Sequence, residues 1–189
     1  MKKLMMRAVA PAILRQRGYE ISSVMSPEFL TGSRLIGVRF GSEYDFAVKA
    51  CDGRRISFAR RADGKWATLK SVDFMVVIVP TDDGVKEAEV MAFTARILIQ
   101  KFEQAWQELK ANGHPIVDGR VSIPLDQISK KKSVHGIANI KAVSLWSVEV
   151  TRSQVKATRP TDNFFDRVRR EFADRLGLDV HQVEVDFKF

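Results

Sequence analysis

The hydrophobic positions near the start of the chain have helical spacing. Ala8, Ile13 and Leu14, together with the polar Arg7, Arg15, Gln16 and Arg17, form a short amphipathic pattern. This pattern predicts a first helix over about residues 5–17. Gly18 follows it, in the position where glycine commonly ends a helix.

Alternating and continuous apolar segments after this helix predict a β-sheet. The predicted strands cover residues 19–22, 35–40, 44–50 and 55–61. Asp52-Gly53 is a favoured two-residue hairpin turn, so the last two of these strands are predicted to pair with each other in an antiparallel hairpin. Residues 72–79 are almost entirely apolar, which predicts a central strand buried on both faces.

A short strand at residues 89–93 leads into a long amphipathic helix. Thr94 is placed to cap this helix, and apolar side chains recur at helical spacing to about Ala111. A further strand is predicted at residues 120–125. The apolar residues of 137–150 fit a helix and a strand about equally.

The last forty residues form a helix and strand pattern of their own. A helix is predicted over residues 162–176, and the regular alternation of 183–189 predicts a C-terminal strand. That strand has to pair in order to bury its apolar face. Its partner is either the main sheet or a second copy of the chain, so a homodimer through this strand is one expected assembly.

These elements together predict an α/β protein with a mixed β-sheet flanked by helices. Residues 1–115 are predicted to form the core, and residues 116–150 to extend its sheet. Residues 151–189 are predicted to be a small, basic helix–strand appendage that packs on the same core or stands apart from it.

The composition of the chain indicates the class of protein and the cellular compartment to expect. The chain has 189 residues, of which 45% are hydrophobic, as expected for a globular protein. Its single cysteine, Cys51, forms no internal disulfide, which favours a reducing compartment. No apolar run approaches the roughly 20 residues of a membrane span. The sequence therefore predicts a soluble, cytoplasmic protein without a membrane partner.

Charge is distributed unevenly along the chain. The net charge is +8, and the first 70 residues contain 14 Lys and Arg against 6 Asp and Glu, whereas the remaining residues contain 17 of each. A one-sided basic surface gains affinity for nucleic acid by releasing counterions from the phosphate backbone. Nucleic acid is therefore the predicted partner, and a solvated basic face that only keeps the protein in solution is the alternative.

Arginines flanking the predicted hairpin are the sharpest candidates for phosphate contacts, because guanidinium groups match phosphate oxygens. Trp66, just beyond the hairpin, either stacks on a base or covers the core. Strand alternation divides the hairpin arginines between two faces, which leaves a purely structural role open. The candidate nucleic-acid contacts are Arg15, Arg17, Arg54, Arg55, Arg60, Arg61 and Trp66.

The order of these elements resembles the restriction-endonuclease-like, or PD-(D/E)XK, nuclease superfamily over residues 8–93. The resembling segments are residues 10–19 (APAILRQRGY), 44–48 (YDFAV), 55–61 (RISFARR) and 72–78 (VDFMVVI). The resemblance implies a restriction-endonuclease-like core. It also implies a nucleic-acid substrate, bound through magnesium in the active members.

In that family an aspartate entering one strand, and an acid-x-lysine on the next strand, hold the magnesium ion. Asp45 matches the first position, but the second falls on Phe58-Ala59-Arg60, where Phe58 offers no metal ligand and Arg60 does not act as a base. Asp63-Gly64-Lys65 and Asp186-Phe187-Lys188 also spell acid-x-lysine. The weak catalytic candidates are therefore Asp45, Asp63 and Lys65, with Asp45 as the metal ligand if there is one.

Three functions follow, and the sequence leaves the choice between DNA and RNA open. The first is a non-catalytic nucleic-acid-binding or accessory protein on a nuclease-like scaffold, with no cofactor. The second is a magnesium-dependent nuclease that uses Asp45. The third is an oligomeric structural or protein-interaction module whose basic charge is incidental. Nucleotide-cradling and serine-hydrolase chemistry are disfavoured, since the Walker and Gly-x-Ser-x-Gly motifs are absent from the sequence.

Overall fold

The structure is a computed structural model that describes residues 9–24, 33–81, 86–126, 137 and 139–151. The described helices are α1 (Val9–Gln16) and α2 (Ala95–Ala111). The described strands are β1 (Glu20–Val24), β2 (Ser33–Arg39), β3 (Ser42–Ala50), β4 (Arg55–Ala59), β5 (Phe74–Pro80), β6 (Lys86–Thr94), β7 (Arg120–Pro124) and β8 (Trp146–Thr151). The appendage predicted at residues 151–189 lies outside the described residues, except for Thr151 at the end of β8.

Six of these strands form a mixed sheet, which we call the main sheet, in the order β1-β2-β3-β5-β6-β8. Neighbouring strands are antiparallel except β3 and β5, which run parallel with Phe46 opposite Phe74. The remaining pair, β4 and β7, forms a small antiparallel sheet with Ile56 opposite Ile123. The prediction of an α/β fold built on a mixed sheet is thereby confirmed.

The predicted hairpin through Asp52-Gly53 is wrong. Strand β3 pairs with β2 and β5, and β4 pairs with β7 instead of β3. The backbone amide of Cys51 still donates to the carbonyl of Ile78, at 2.9 Å, before the chain leaves the main sheet. Strand β4 then buries its alternate apolar side chains over the main sheet, where the rings of Phe58 and Phe102 of α2 lie 5.0 Å apart.

Strand β5 is buried on both faces, as its continuous apolar sequence predicts. Met75, Val77 and Val79 pack with α2 and the small sheet, whereas Val76 and Ile78 pack with α1 on the opposite face. All five side chains are fully buried. Burying each of these side chains stabilises the fold by about 1.5–3 kcal/mol. Strand β5 therefore contributes to the packing of α2 and the small sheet on one face of the main sheet and of α1 on the other.

Local chemistry accounts for the start of α2 and for the end of α1. The side chain of Thr94 caps α2 by accepting a hydrogen bond from the amide of Ile97, at 3.3 Å. Helix α1 stops before Gly18, whose φ of +84° turns the chain towards β1. The predicted cap of α2 and the predicted end of α1 are therefore confirmed, whereas the predicted start of the first helix at residue 5 lies outside the described residues.

A buried carboxylate links the two sheets. Glu89 of β6 is only 2% exposed, and its Oε1 accepts a hydrogen bond from Ser147 Oγ at 2.6 Å and pairs with the ammonium of Lys141. Its Oε2 pairs with Arg54 Nη2 at 3.0 Å. The Nε of Arg54 donates to Asp126 Oδ2 at 2.5 Å, so one connected network spans the ends of β4 and β7 together with β6 and β8.

The partners of Glu89 decide its ionisation. Burial raises the pKa of a carboxyl group, but the hydrogen bonds from Lys141, Ser147 and Arg54 outweigh burial and hold the pKa of Glu89 below its usual value. Burial lowers the pKa of Arg54, and its bonds to Asp126 and Glu89 raise it more. The cations of the network therefore favour the charged form of Glu89, and the carboxylates favour the charged form of Arg54.

Replacing Glu89 with Gln is expected to destabilise the protein by about 3 kcal/mol at neutral pH, because Arg54 and Lys141 lose their buried counterion. The folded pKa of Glu89 is lowered. Its stabilising contribution is therefore complete above the unfolded value, about 4.3, and is lost as the pH falls through the folded value. Urea unfolding of parent and Glu89→Gln should show a gap that narrows on acidification; a gap independent of pH contradicts this assignment.

Gly119 provides a second test, this time of the small sheet. Its φ is +64°, its carbonyl accepts from the amide of Arg60 at 2.8 Å, and a Cβ here would lie 2.5 Å from the carbonyl oxygen of Arg60. Gly113 has a matching φ of +66° but open space around it. We expect Gly119→Ala to cost about 1–3 kcal/mol more than Gly113→Ala in urea unfolding, because only the former adds a clash to the backbone strain. Equal losses would place β4 and β7 further apart than described.

Candidate functional site

The arginines flanking β4 are largely occupied by the fold. Arg54 pairs with Glu89 and Asp126. Arg60 donates from Nε and Nη2 to the two carboxylate oxygens of Glu103, each at 3.2 Å, and its guanidinium carbon lies 5.1 Å from the ring centroid of Trp106. Carboxylates therefore neutralise two of the four candidate arginines that flank β4.

The other two do not complete a patch. Arg55 donates to the hydroxyl and the carbonyl oxygen of Ser122, at 3.2 and 2.9 Å, and burial lowers its pKa. Arg61 is exposed just after β4. With no hairpin between β3 and β4, and with the alternate residues of β4 on opposite faces, the structure does not gather the four guanidinium groups into one surface.

Trp66 is not a stacking platform. Its side chain is 2% exposed, its ring packs edge-on against Phe102 at 5.4 Å, and its indole nitrogen donates to Glu103 at 3.3 Å. The prediction that Trp66 contacts a base is therefore wrong, and the alternative that it covers the core is confirmed. An apolar ring next to a turn gains more from burial against α2 than from exposure to solvent.

Asp45, the candidate metal ligand, forms an ion pair within the main sheet. Arg34 of β2 contacts its Oδ1 through Nε at 2.8 Å and through Nη2 at 2.7 Å. The backbone amide of Asp45 donates to Asp73 Oδ2 at 2.9 Å. The guanidinium therefore already occupies Oδ1, one of the two carboxylate oxygens that Asp45 could offer to a cation.

Of the two acid-x-lysine patterns, only the one at residues 63–65 lies in the described part of the chain, and it forms no metal-binding cluster with Asp45 there. Asp63 lies in the turn after β4 and accepts a hydrogen bond from the amide of Lys65 at 3.0 Å, which is the main reason that its pKa is lowered. Across the described ranges, no group of three or more His, Cys, Asp or Glu side chains lies close enough to hold a metal ion. The pattern at 186–188 lies outside those ranges.

A groove lies at one end of the main sheet, where several elements start or stop. Strands β2 and β6 and helix α1 end there, whereas β5 and β8 begin there. The groove has a volume of about 640 Å³. We call it the basic–aromatic groove, and its lining includes Gln16, Arg17, Tyr19, Arg39, Phe74 and Trp146.

The cations of this groove lie against aromatic rings. The guanidinium carbon of Arg17 is 4.0 Å from the ring centroid of Trp146. That of Arg39 is 5.3 Å from the centroid of Tyr19 and 4.8 Å from that of Phe40. Among the residues that the structure describes, no carboxylate pairs with either arginine.

Two further details mark Arg39 and its neighbour. The Nε of Arg39 is buried but has no hydrogen-bond partner. Phe40, predicted to end a strand, instead lies in the turn between β2 and β3 and is 92% exposed. Arg39 therefore has a buried, unpaired Nε, and the exposed ring of Phe40 lies against its guanidinium beside the groove.

The sequence alone predicted one residue of this groove, Arg17, as a nucleic-acid contact and did not predict the others. Arg17 was among the predicted contacts, whereas Arg15 is exposed on α1 with a 3.4 Å hydrogen bond to the carbonyl of Ile21. Arg39, Phe40 and Trp146 were not predicted, because only the order of the strands brings them to the same end of the sheet. The available signal was the dipeptide Phe40-Gly41 between two strand patterns.

Chemically, the groove is suited to binding. Guanidinium groups donate to phosphate or carboxylate oxygens, and aromatic faces stack on flat ligands. Both capacities meet in this groove. The arrangement indicates a site for a planar, anionic ligand.

Within the described part of the chain, no helix has the length and apolar character needed to cross a lipid bilayer. No family model matches the sequence, and no curated protein matches it. Among solved structures, the chain is similar to a crystal structure of MepB, with 9% sequence identity and a TM-score of 0.37. The alignment covers 79% of this chain and 97% of that chain, a likeness too low to carry an inference about function.

Proposed function

We propose that this protein binds nucleic acid without cleaving it, and that the basic–aromatic groove is the contact surface. One observation carries the proposal. Arg17 and Arg39, which no described carboxylate neutralises, lie against aromatic rings at the same end of the main sheet. Phosphate contacts from such arginines supply affinity, and the rings beside them suit the faces of bases.

The charge of the whole chain supports the same partner. A net charge of +8 attracts a polyanion over a distance of about one Debye length, roughly 8 Å at physiological salt. The groove then supplies short-range contacts at a defined place. Arg54 and Arg60 contribute less to the field at the surface, because carboxylates balance them.

We further propose that the scaffold is nuclease-like and that the protein acts as a cytoplasmic accessory factor. The nuclease-like part rests on the order of α1, the first three strands, β5, β6 and α2 within residues 9–111. The cytoplasmic part rests on Cys51, which is buried and, as the single cysteine of the sequence, forms no internal disulfide. Binding is favoured over magnesium-dependent cleavage because Arg34 already holds Asp45.

Substituting the groove arginines tests this function. We expect Arg17→Ala and Arg39→Ala each to weaken binding of a fluorescent oligonucleotide about ten-fold, and each to lower the slope of log K against log salt by about one phosphate contact. Arg120→Ala removes the same charge from an exposed position on β7 and serves as the matched control. Fluorescence anisotropy over a salt series measures both quantities.

Equal losses of oligonucleotide affinity in all three variants would mean that only the overall charge matters. That result would overturn the assignment of the groove as the contact surface. A parent protein with no salt-dependent affinity would overturn the function itself. Thermal unfolding of each variant keeps loss of fold separate from loss of binding.

A further inference from the structure

We propose, resting on the proposed function, that the basic–aromatic groove selects unpaired nucleotides and that Phe40 is the surface on which a base stacks. Single-stranded nucleic acid is the ligand class that this geometry fits. The proposal starts from the position of Phe40, which is unfavourable for the fold in two independent ways.

The first cost is exposure. Phe40 is 92% exposed, whereas Phe46, Phe93 and Phe102 are 2% exposed or less. Burial of an aromatic side chain is a main source of folding stability, and Phe40 contributes almost none of it. Its ring is instead available from solvent, next to the guanidinium of Arg39.

The second cost is backbone conformation. Arg39 pairs with Ser42 across β2 and β3, so Phe40 and Gly41 form a two-residue turn, with φ values of +52° and +75°. Two-residue turns with positive φ at both positions strongly favour Asn-Gly or Asp-Gly. Phenylalanine is strained in that conformation, because its Cβ crowds the backbone.

An exposed and strained aromatic residue at the tip of a hairpin is better explained by a ligand than by the fold. Strained positions persist where the surrounding structure enforces them, and they are enriched at functional sites. Here β2 and β3 enforce the turn, since their pairing continues along seven residue pairs from Ser33 and Val48 to Arg39 and Ser42.

The neighbours of Phe40 define what the ligand has to be. The guanidinium of Arg39 lies within about 5 Å of the rings of both Tyr19 and Phe40, at 5.3 and 4.8 Å from their centroids. Arg17 and Trp146, which also line the groove, add a second pair of cation and ring. Phosphates can therefore meet arginine while a base face meets Phe40.

Duplexes do not satisfy this arrangement. Bases inside a duplex stack on one another and offer their edges, whereas unpaired bases expose the faces that aromatic side chains use. The groove volume of about 640 Å³ is in the range of small-ligand sites, which suits a few splayed nucleotides. The geometry therefore points to single strands or to unpaired ends.

The test separates stacking from stability. Phe40→Asn places the preferred residue in the turn, so we expect the midpoint of thermal unfolding to rise by about 2–4 °C. The same variant should bind fluorescent oligothymidylate about ten-fold more weakly, because the stacking surface is gone. Phe40→Trp keeps an aromatic face and should bind within about two-fold of the parent.

A mixed-sequence duplex of the same length is the second probe. We expect the parent to bind it at least about ten-fold more weakly than oligothymidylate, and Phe40→Asn to leave duplex binding nearly unchanged. Unchanged oligothymidylate binding in Phe40→Asn, or equal binding of both probes, overturns this inference while nucleic-acid binding itself stands. Failure of the parent to bind either probe overturns the proposed function as well.

Discussion

Glu89 carries a negative charge in a place almost closed to water, and the fold is arranged around the need to balance it. Removing a carboxylate from water costs several kcal/mol unless cations and hydrogen bonds replace the solvent. Arg54 and Lys141 supply the cations and Ser147 the hydroxyl, from three separate parts of the chain. Their convergence fixes the ends of the small sheet against the main sheet.

The arginines of this basic chain fall into two groups, according to whether a carboxylate balances their charge. Those near the two-sheet core, Arg54 and Arg60, have acidic partners and act as structural cations. Arg17 and Arg39 lie where strands and a helix end, and aromatic rings instead of carboxylates face them. A net charge therefore says little about a binding surface until the internal ion pairs have been identified.

The local sequence pattern was sufficient to predict single helices and strands, but it was not sufficient to predict which strands pair with each other. Residues 72–79 predict a strand buried on both faces, and Thr94 predicts the start of α2, because both signals lie within the element itself. The Asp52-Gly53 hairpin failed because the choice between β3 and β7 as the partner of β4 depends on residues far along the chain. The basic–aromatic groove was mostly missed for the same reason, since sheet order alone brings Trp146 next to Arg17.

The pairing of β4 with β7 has a consequence for how the chain folds. Arg55 and Ser122, which form hydrogen bonds across this pair, are 67 residues apart in sequence. The loop between them has to close, at a cost in conformational entropy, before β4 and β7 can make their contacts. Proteins dominated by such distant pairings fold slowly. Until β7 pairs with β4, Ile56 and Phe58 lack the cover of Ile123 and Val121, which lie opposite them across the small sheet. Apolar side chains left uncovered in this way are open to contacts with other chains.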